Sequence, residues 1–345
     1  MLVESGHSVD IACNLTQKLN PELLELVRTV YNIPFNRSPL KRGNIEAYQN
    51  LKIISKEVSY DIVHTHTPVA STLTRIIFKK SNSRVIYTAH GFHFYKGAPL
   101  INWLIYYPIE WWLARHTDII ITINKADYNR AKKSFRAGKI EYIPGVGINL
   151  NMFDHLNKEN KLERSDFGIP SDAKLILSVG ELNENKNHEV VIKALGILKD
   201  ENVHYAICGE GSLRGKLEKT ILKHGLAKQV HLLGFRNDVK DIYLLADLFI
   251  FPSKREGLPV ALLEALLSGL PVIASNIRGN TDLANLKLPI KLIDTLTPIV
   301  LADEIKLWLN AANISKNYSS IKEALSSFGS HNIEKQLIKI YFASD

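Results

Sequence analysis

The stretch LFIFPSKREGLPVALLEALLSGLPVIAS, residues 248–275, holds one complete strand–helix–strand pattern. Leu248–Phe251 and Pro271–Ser275 are continuous apolar runs of strand length. Pro259–Ser268 between them has the length of a helix and begins with the proline that a first helical turn tolerates. Apolar runs without alternation are typical of parallel strands covered on both faces. The stretch therefore predicts a βαβ unit in an α/β fold.

The same pattern recurs along the chain, except for a polar, charged run after Gly145. We therefore predict two Rossmann-like, doubly wound domains, residues 1–147 and 171–318, joined by a linker of residues 148–170. The helices of residues 319–345 are expected to return toward the first domain. The further predicted strands are Ser8–Cys13, Asp61–His66, Arg84–His90, Asp118–Ile123, Lys139–Ile143, Lys174–Gly180, His204–Gly209 and Val230–Leu233. The further predicted helices are Asn44–Val58, Thr72–Lys80, Leu100–Ala114, Ala126–Ser134, His188–Leu198, Leu213–His224 and Ala302–Ala312.

The composition of the 345 residues, 46% hydrophobic and 23% charged, is that of a globular protein. Its two cysteines, Cys13 and Cys208, exclude a disulfide framework and a cysteine-based zinc site. The first residues lack the basic start and apolar stretch of a signal peptide. The most apolar segment, Pro99–Ile123, is interrupted by charged residues and does not predict a membrane span. A cytoplasmic location is therefore expected.

The excess positive charge lies in the first domain. Residues 1–147 hold 19 Lys and Arg against 11 Asp and Glu, whereas residues 148–345 hold 24 of each. Such a field suits an anionic partner: membrane phospholipid, a phosphorylated acceptor or nucleic acid. Nucleic acid is disfavoured because no recognised binding motif accompanies the charge. A soluble surface with a chance asymmetry is the alternative.

The segment from Tyr95 to Trp112 is rich in aromatic residues and is bordered by Lys96 and Arg115. Tryptophan and tyrosine beside basic residues suit a bilayer interface. We therefore expect this segment to dock on the inner face of the plasma membrane. The alternative is an amphipathic helix that packs its rings into the core. The aromatic residues concerned are Tyr95, Trp103, Tyr106, Tyr107, Trp111 and Trp112.

Residues Leu2–His7 have the pattern of the last turn of a helix capped by Gly6, and a strand follows at once. A doubly wound sheet normally opens with a strand, a glycine-containing turn and then that helix. We therefore expect the first strand and its turn to be missing from the sequence, or the domain to lack its usual first strand.

Two carboxylates in the opening stretch are candidates for chemistry. Glu256 lies on the loop between a parallel strand and a helix N-terminus, where open α/β sheets bind ligands and N–H groups suit a phosphate. Glu264 is the only polar residue from Leu258 to Leu267. An unpaired carboxylate there would cost several kcal/mol, so Glu264 needs a hydrogen-bond donor. Sugar hydroxyls would serve, as would the backbone or a lysine.

Glu256 and Glu264 together resemble the Glu-x7-Glu signature of retaining glycosyltransferases with the two-Rossmann-domain (GT-B) fold. The surrounding sequence is similar to family 4, the nucleotide-sugar group that contains many capsular and exopolysaccharide enzymes. The resemblance covers nearly the whole chain. It includes DIVHTHTP (61–68), YTAHGFHFYKG (87–97), IPGVGI (143–148) and CGEGSL (208–213). It implies two domains that face one cleft.

The resemblance also implies how a nucleotide-sugar donor is held. Glu256 would contact the sugar hydroxyls near the reacting carbon. The backbone N–H groups of Gly257 and Leu258 would hold the sugar and the β-phosphate, and Glu264 would bind the ribose hydroxyls. Phe235 and Arg236 match the segment beside the nucleotide base. A further loop would add Glu210 as a donor contact.

Lys186, in the segment GELNENKN (180–187) that Gly180 opens, matches the diphosphate-binding lysine of the family. Many relatives have Arg after the glycine and Gly after the lysine, where this chain has Glu181 and Asn187. Lys186 is therefore expected to be the main cation on the diphosphate. Arg255 or Arg278 is expected to assist.

His90 matches the histidine that contacts the donor sugar or the acceptor, and with Glu256 it is the expected catalytic residue. His66 and His93 are expected on the acceptor side, and His64 is expected to be a packed strand histidine. Four imidazoles could also converge on a metal ion. No carboxylate or thiolate completes that set and the family needs no metal, so no metal is expected.

The spacing of the aspartates is a further indication that the reaction needs no metal ion. No two aspartates stand two positions apart, so the Asp-x-Asp pair that holds a divalent ion in the other major glycosyltransferase fold is absent. Lys186 and the helix N-terminus at Gly257 would instead meet the departing negative charge. Neither a metal nor another cofactor is expected.

These expectations describe a retaining hexosyltransferase at the cytoplasmic face of a bacterial plasma membrane. It would move a sugar from a nucleotide diphosphate, with UDP favoured, to a polyprenyl-diphosphate-linked saccharide in capsule or exopolysaccharide synthesis. The alternatives are a nucleotide-sugar epimerase of the same fold and an inactive homologue that binds nucleotide or acts as an assembly partner. A two-carboxylate glycosidase is disfavoured because Glu256 and Glu264 lie too close in sequence to flank one sugar easily.

Overall fold

The computed structural model describes residues 2–16, 19–154, 162–310 and 318–342. The chain divides into two compact units, one of Met1–Ile143 with Glu334–Asp345 and one of Pro144–Ile333. Both units are built from parallel strands and helices, which confirms the α/β class with two Rossmann-like units. Part of the expected linker, residues 155–161, lies outside the described residues.

The first unit has two groups of parallel strands. Its strands are β1 (Asp10–Cys13), β2 (Thr29–Asn32), β3 (Ile62–His66), β4 (Arg84–Ala89), β5 (Ile119–Thr122) and β6 (Lys139–Tyr142). Its helices are α1 (Pro21–Leu26), α2 (Gly43–Glu57), α3 (Pro68–Phe78), α4 (Leu100–Ala114) and α5 (Lys125–Ser134). β3 to β6 form one sheet in the order β3-β4-β5-β6, and β1 pairs with β2 in a separate sheet. β4 and β5 lie at the centre and are almost wholly buried, as their apolar sequences predict.

The second unit contains a six-stranded sheet. Its strands are β7 (Lys174–Val179), β8 (Val203–Cys208), β9 (Val230–Gly234), β10 (Leu248–Phe251), β11 (Val272–Ser275) and β12 (Ile290–Ile293). Its helices are α6 (His188–Leu198), α7 (Arg214–Lys223), α8 (Val239–Leu245), α9 (Val260–Leu267), α10 (Thr281–Ala284), α11 (Pro298–Asn310) and α12 (Tyr318–Ala324). The strand order is β12-β11-β10-β7-β8-β9. The last helix, α13 (Ser330–Phe342), begins here, and its residues from Glu334 onward belong to the first unit.

All ten predicted strands are present, with ends within two residues of those predicted. β2 and β12 were not predicted because each is a four-residue strand without a buried apolar run. The short helices α1, α8 and α10 were not predicted either, since fewer than eight residues give no helical period. None of the helices in the described ranges has the length and apolar character needed to cross a bilayer.

A buried ion pair ties two helices to the sheet of the first unit. Arg75 of α3 donates to Oε2 of Glu110 on α4 at 2.8 Å, and both side chains are almost fully buried. The guanidinium also lies 4.2 Å from the centre of the Tyr87 ring on β4. Burial, with Glu110 beside it, raises the pKa of the Tyr87 hydroxyl. The charge of Glu110 inside the apolar helix α4 is thus neutralised by Arg75 of the same unit.

Removing Glu110 should destabilise the first unit strongly. Glu110→Ala leaves the Arg75 charge buried without its anion, and we expect the free energy of unfolding to fall by about 3–5 kcal/mol. Urea denaturation followed by circular dichroism measures the change. The exposed Glu57→Ala on α2 is the matched control and should alter the free energy by less than about 0.5 kcal/mol. Equal losses for both variants would contradict this account.

Candidate active site

The loops after β7 and β10 meet where the strand order of the second sheet reverses. β7 connects through α6 to β8 on one side, and β10 connects through α9 to β11 on the other. The Lys254 N–H donates to the carbonyl of Asn185 at 2.8 Å, and Asn185 Nδ2 donates to the carbonyl of Arg255 at 2.9 Å. Open α/β sheets bind ligands at such a switch point. These two loops therefore form the candidate site.

Lys186 and Glu256 are in direct contact at this point. Lys186 Nζ lies 2.8 Å from Glu256 Oε1, and their side chains are only 21% and 15% exposed. The ammonium is 4.8 Å from the centre of the Phe251 ring. The aliphatic part of the Lys186 side chain lies against Gly180. A Cβ on Gly180 would come within 3.1 Å of the Cδ and Cε atoms of Lys186. The sequence predicted a diphosphate-binding lysine and a sugar-binding glutamate, but not their contact.

A tight turn aims Lys186 at the site. The Lys186 N–H donates to Oδ1 of Asn183 at 2.9 Å. Asn187 takes a left-handed conformation with φ of 56° and occupies the position before the first residue of α6, without a capping hydrogen bond from its side chain. Asparagine tolerates this conformation better than most residues. Asn187, which stands where many relatives have glycine, therefore still allows the turn that a glycine would make.

Gly257 and Leu258 precede the N-terminus of α9. Leu258 is buried, and a Cβ on Gly145 would come within 2.5 Å of its side chain. A Cβ on Gly279 would come within 2.1 Å of the Gly257 carbonyl. The helix begins after Pro259 without a side-chain cap. An anion is a suitable partner for the N–H groups of such a helix start.

Glu264 finds its hydrogen-bond donor inside the second unit. The Tyr243 hydroxyl lies 3.2 Å from Glu264 Oε2 and 3.1 Å from the Ala261 carbonyl. Burial raises the pKa of the Glu264 carboxyl. The partner is thus a tyrosine on α8, neither the backbone nor a lysine. Ribose binding at this carboxylate stays a prediction.

Loops after β8 and β9 lie beside the Gly180 loop. The Gly209 N–H donates to the Gly234 carbonyl at 2.8 Å, and the Leu182 N–H donates to the Glu210 carbonyl at 2.9 Å. A Cβ on Gly234 would be 3.7 Å from Glu210 Oε1. Backbone contacts therefore bring Glu210 close to the Gly180 loop, and its contact with a donor stays a prediction.

Phe235 and Arg236 follow β9. The Phe235 side chain is 72% exposed and so is open to a planar partner. Arg236 Nε donates to Asp238 Oδ1 at 2.8 Å, and this bond raises the pKa of the arginine. Its guanidinium lies 5.3 Å from the centre of the Phe167 ring. The role of both residues beside a base stays a prediction.

Three histidines meet at the ends of β3 and β4 in the first unit. His66 Nδ1 lies 3.0 Å from His90 Nε2. His64 contacts the hydroxyls of Tyr341 and Thr88, the latter at 2.8 Å, which fits a packed strand histidine. Burial lowers the pKa of His64 to about 3 and that of His66 to about 4, and it also lowers the pKa of His90. All three rings are therefore neutral near pH 7.

His93 does not join this group, because its ring stacks on Tyr106 with centroids 4.6 Å apart. The fourfold arrangement of imidazoles that could hold a metal is therefore not formed. Across the described ranges, no cluster of three or more His, Cys, Asp or Glu side chains has the geometry of a metal site.

The aromatic segment of the first unit divides into a packed part and an exposed part. Trp103 and Tyr107 pack against Phe94 in the core, and Tyr106 adjoins them. Trp111 is 38% exposed and Trp112 39%, each beneath a cation. Aliphatic residues form the exposed face of α4, which we call the α4 apolar face: Leu100, Ile101, Leu104, Ile105 and Ile109. Core packing is thus confirmed for Trp103, Tyr106 and Tyr107, whereas docking on a membrane stays a prediction, and the sequence did not single out the aliphatic residues.

Comparison with known proteins gives two family matches. The model described as Glycosyltransferase Family 4 matches residues 1–150, and Glycosyl transferases group 1 matches residues 159–324. The putative glycosyltransferase EpsD of Bacillus subtilis is 37% identical over 287 residues, which are 81% of this chain and 74% of EpsD.

Two further proteins are informative. The UDP-Gal:alpha-D-GlcNAc-diphosphoundecaprenol alpha-1,3-galactosyltransferase of Escherichia coli is 29% identical over 291 residues, 82% of this chain and 75% of that enzyme. The crystal structure of Anabaena HepE in complex with UDP and glucose superposes with a TM-score of 0.78 and 17% identity. That match covers 98% of this chain and 100% of HepE, so the two share a fold.

The raised pKa of Glu264 should make stability depend on pH. Between the ordinary value of 4.5 and the raised value, the folded chain binds more protons than the unfolded one, so the free energy of unfolding falls as pH rises. Glu264→Gln is neutral throughout and can still accept from Tyr243. We therefore expect the stability of the variant relative to the parent to increase from pH 4 to pH 7.

Urea denaturation of both proteins across this pH range measures that difference. The exposed Glu201→Gln in the same unit is the matched control. The same trend in both variants would show that burial of Glu264 is not its cause.

Proposed function

Because the chain belongs to glycosyltransferase family 4 and has the GT-B fold, we propose that it transfers a sugar from a UDP-sugar to a polyprenyl-diphosphate-linked saccharide, with retention of configuration. The pathway is assembly of a bacterial surface polysaccharide. The observation that carries the proposal is the Lys186–Glu256 contact at the switch point of the second sheet. It brings a phosphate-binding cation and a hydroxyl-binding carboxylate to one place.

The choice of UDP rests on two relatives. The Escherichia coli relative is named for UDP-Gal, and HepE was crystallised with UDP and glucose. In this chain, Lys186 leaves Glu256 for the diphosphate when the donor binds, and Glu256 then accepts hydrogen bonds from sugar hydroxyls. No charge is left without a partner in this exchange. The uncapped start of α9 adds N–H groups beside the phosphate.

The reaction breaks the bond between the anomeric carbon and the β-phosphate oxygen of the donor. A bond forms from that carbon to an acceptor hydroxyl oxygen, and the hydroxyl proton passes to an oxygen of the departing β-phosphate. Negative charge grows on the departing UDP, and the preorganised Lys186 ammonium stabilises it. We propose that this stabilisation suffices without a metal ion.

The acceptor side is assigned to the histidines of the first unit. His66 and His90 lie side by side, and their lowered pKa values keep both rings neutral. A neutral imidazole can donate one hydrogen bond and accept another, which suits recognition of sugar hydroxyls. We assign His90 the catalytic contact and His66 the acceptor contact.

The α4 apolar face supports a membrane-bound acceptor. Leu100 is 80% exposed and Leu104 is 73% exposed, and the net charge of residues 1–147 is positive. An apolar helix face within a basic domain is suited to an anionic phospholipid surface. We therefore place the chain at the cytoplasmic face of the membrane, where a polyprenyl-linked saccharide is within reach.

Opposite effects on UDP binding should distinguish the two residues of the contact. Lys186→Met removes a charge-assisted hydrogen bond and should weaken UDP binding about 10–100-fold. Glu256→Gln frees Lys186, so UDP binding should be kept or tightened while transfer slows about 10²–10³-fold. Calorimetry with UDP measures binding. Transfer is measured with a panel of UDP-sugars and a lipid-diphosphate-linked acceptor in EDTA.

Glu184→Gln on the same loop and Lys199→Met are exposed controls and should leave both readouts unchanged. Unchanged UDP binding in Lys186→Met would overturn the assignment of Lys186. UDP binding by the parent chain without transfer would favour the inactive homologue. Conversion of the sugar in the absence of acceptor would favour an epimerase.

Membrane docking should depend on the α4 apolar face. The double variant Leu100→Ser with Leu104→Ser should lower partitioning onto vesicles of anionic phospholipid at least about tenfold, because two exposed leucines no longer enter the bilayer surface. Co-sedimentation with vesicles measures this. Leu222→Ser with Leu307→Ser, two exposed leucines of the second unit, is the matched control. Equal partitioning of both double variants would argue against docking through α4.

A further inference from the structure

A buried histidine directly follows the turn that carries Lys186. His188 is the first residue of α6 and is only 3% exposed. The backbone of Gly180 and Glu181 lies beside its ring. The aliphatic part of Lys186 also lies against Gly180. The same glycine therefore adjoins both the buried ring and the lysine of the candidate site.

His188 is one end of a chain of buried polar groups. His188 Nδ1 lies 3.3 Å from the Tyr205 hydroxyl oxygen. The Tyr205 hydroxyl donates to Ser178 Oγ at 2.9 Å, and Ser178 Oγ donates to the Ile250 carbonyl at 2.6 Å. Because both hydroxyl protons are used in this way, His188 Nδ1 carries the ring proton and donates to Tyr205. The chain links α6 to β8, β7 and β10, and the loops after β7 and β10 form the candidate site.

The stability of the second unit does not explain this polar chain. Tyr205, Ser178 and His188 are all buried, and Tyr205 lies within the apolar core. His188 Nε2 is buried as well and has no hydrogen-bond partner among the residues that the structure describes. A buried acceptor without a donor costs free energy, whereas an apolar side chain of similar size would not. Polar chains of this kind fix one arrangement of the elements that they join, and departures from an apolar core are typical of functional sites.

We propose that His188 is a positioning residue, which together with Tyr205 and Ser178 holds the loop 180–187 and thereby aims Lys186 at the donor diphosphate. This role rests on the proposed function, because Lys186 is assigned there to the diphosphate. Burial lowers the pKa of His188 to about 4, so its ring is neutral near pH 7. The ring can therefore hold the loop without placing a second positive charge beside Lys186.

The position of Lys186 matters most when the bond to the departing phosphate breaks. Negative charge then grows on UDP, and a cation that is already in place stabilises it without reorganisation. The attraction between Lys186 and bound UDP varies only slowly with their distance. Loosening the loop 180–187 should therefore reduce kcat more than it reduces the affinity for UDP.

Two variants, which we call the chain-breaking variants, interrupt the polar chain without touching the ligand. His188→Leu removes the donor at one end, and Tyr205→Phe removes the hydroxyl in the middle. Each should weaken UDP binding about 3–10-fold and slow transfer about 10–100-fold. His188→Asn offers an N–H near the position of Nδ1 and should restore most of the binding. Calorimetry with UDP and steady-state kinetics of transfer measure these effects.

A double-mutant cycle shows whether His188 acts through Lys186. In the Lys186→Met chain, His188→Leu should change UDP binding less than about twofold, because the group that it positions is gone. His204→Leu is the matched control, since His204 is the buried neighbour of Tyr205 on β8 and contacts His231 at 3.0 Å. The control should leave UDP binding and transfer unchanged. Additive losses in the cycle, or an equal loss in the control, would overturn the proposal.

Hydrogen exchange without any ligand tests the loop separately from the proposed function. The Lys186 and Asn187 N–H groups bond to Asn183, at 2.9 Å to Oδ1 and at 3.4 Å to the carbonyl. Exchange of these two amides should be faster in both chain-breaking variants and unchanged in the control. Unchanged exchange in the chain-breaking variants would overturn the positioning role, and so would failure of His188→Asn to restore binding. Faster exchange together with unchanged UDP binding in Lys186→Met would keep His188 as the residue that holds the loop and would refute only the proposed role of Lys186.

Discussion

The contact between Lys186 and Glu256 is the constraint around which the candidate site is organised. Two mostly buried, opposite charges can be stable only at hydrogen-bond distance, because either one alone would carry a large desolvation penalty. Their 2.8 Å separation therefore fixes the distance between loops that are 70 residues apart in sequence. Two further hydrogen bonds join the same loops: the Lys254 N–H donates to the Asn185 carbonyl, and the Asn185 side-chain amide donates to the Arg255 carbonyl. In the proposed donor complex, the diphosphate replaces Glu256 as the partner of Lys186, and a sugar hydroxyl replaces Lys186 as the partner of Glu256.

Glycine makes this convergence of loops sterically possible. A Cβ on Gly209 would lie 2.0 Å from the Gly180 carbonyl oxygen, and one on Gly279 would lie 2.1 Å from that of Gly257. Because the atoms that would clash belong to the backbone, a substitution at either position forces a loop away from the site. The loop after β7 thus meets the loop after β8 through backbone atoms. In the same way, the loop before α9 meets the loop after β11. The side chains of Lys186 and Glu256 occupy the space that these contacts leave.

The sequence predicted those parts of the structure that depend on local pattern. β4, β5, β7 and β10 were identified because a strand buried on both faces must be apolar throughout. Lys186 and Glu256 were identified by motif and by their place after a strand, but no local pattern reports a contact between loops so far apart. For Glu264 the need for a donor followed from its apolar neighbours. Its partner Tyr243 did not, because α8 is a short helix that gives no periodic signal.

The sequence of α4 correctly predicted an apolar helix, but it did not predict which of the apolar side chains are buried and which are exposed. A helix that is apolar all round needs cover on every side, and in this unit Phe94 and its neighbours cover only the side that bears Trp103 and Tyr107. The rings were expected at the membrane because tryptophan and tyrosine favour an interface. Trp103, Tyr106 and Tyr107 instead pack against the core, where aromatic packing gains most. The aliphatic residues Leu100 and Leu104 are left outside. Aliphatic side chains have no polar group to place in water, so their exposure argues for a covering surface more strongly than exposed tryptophans would.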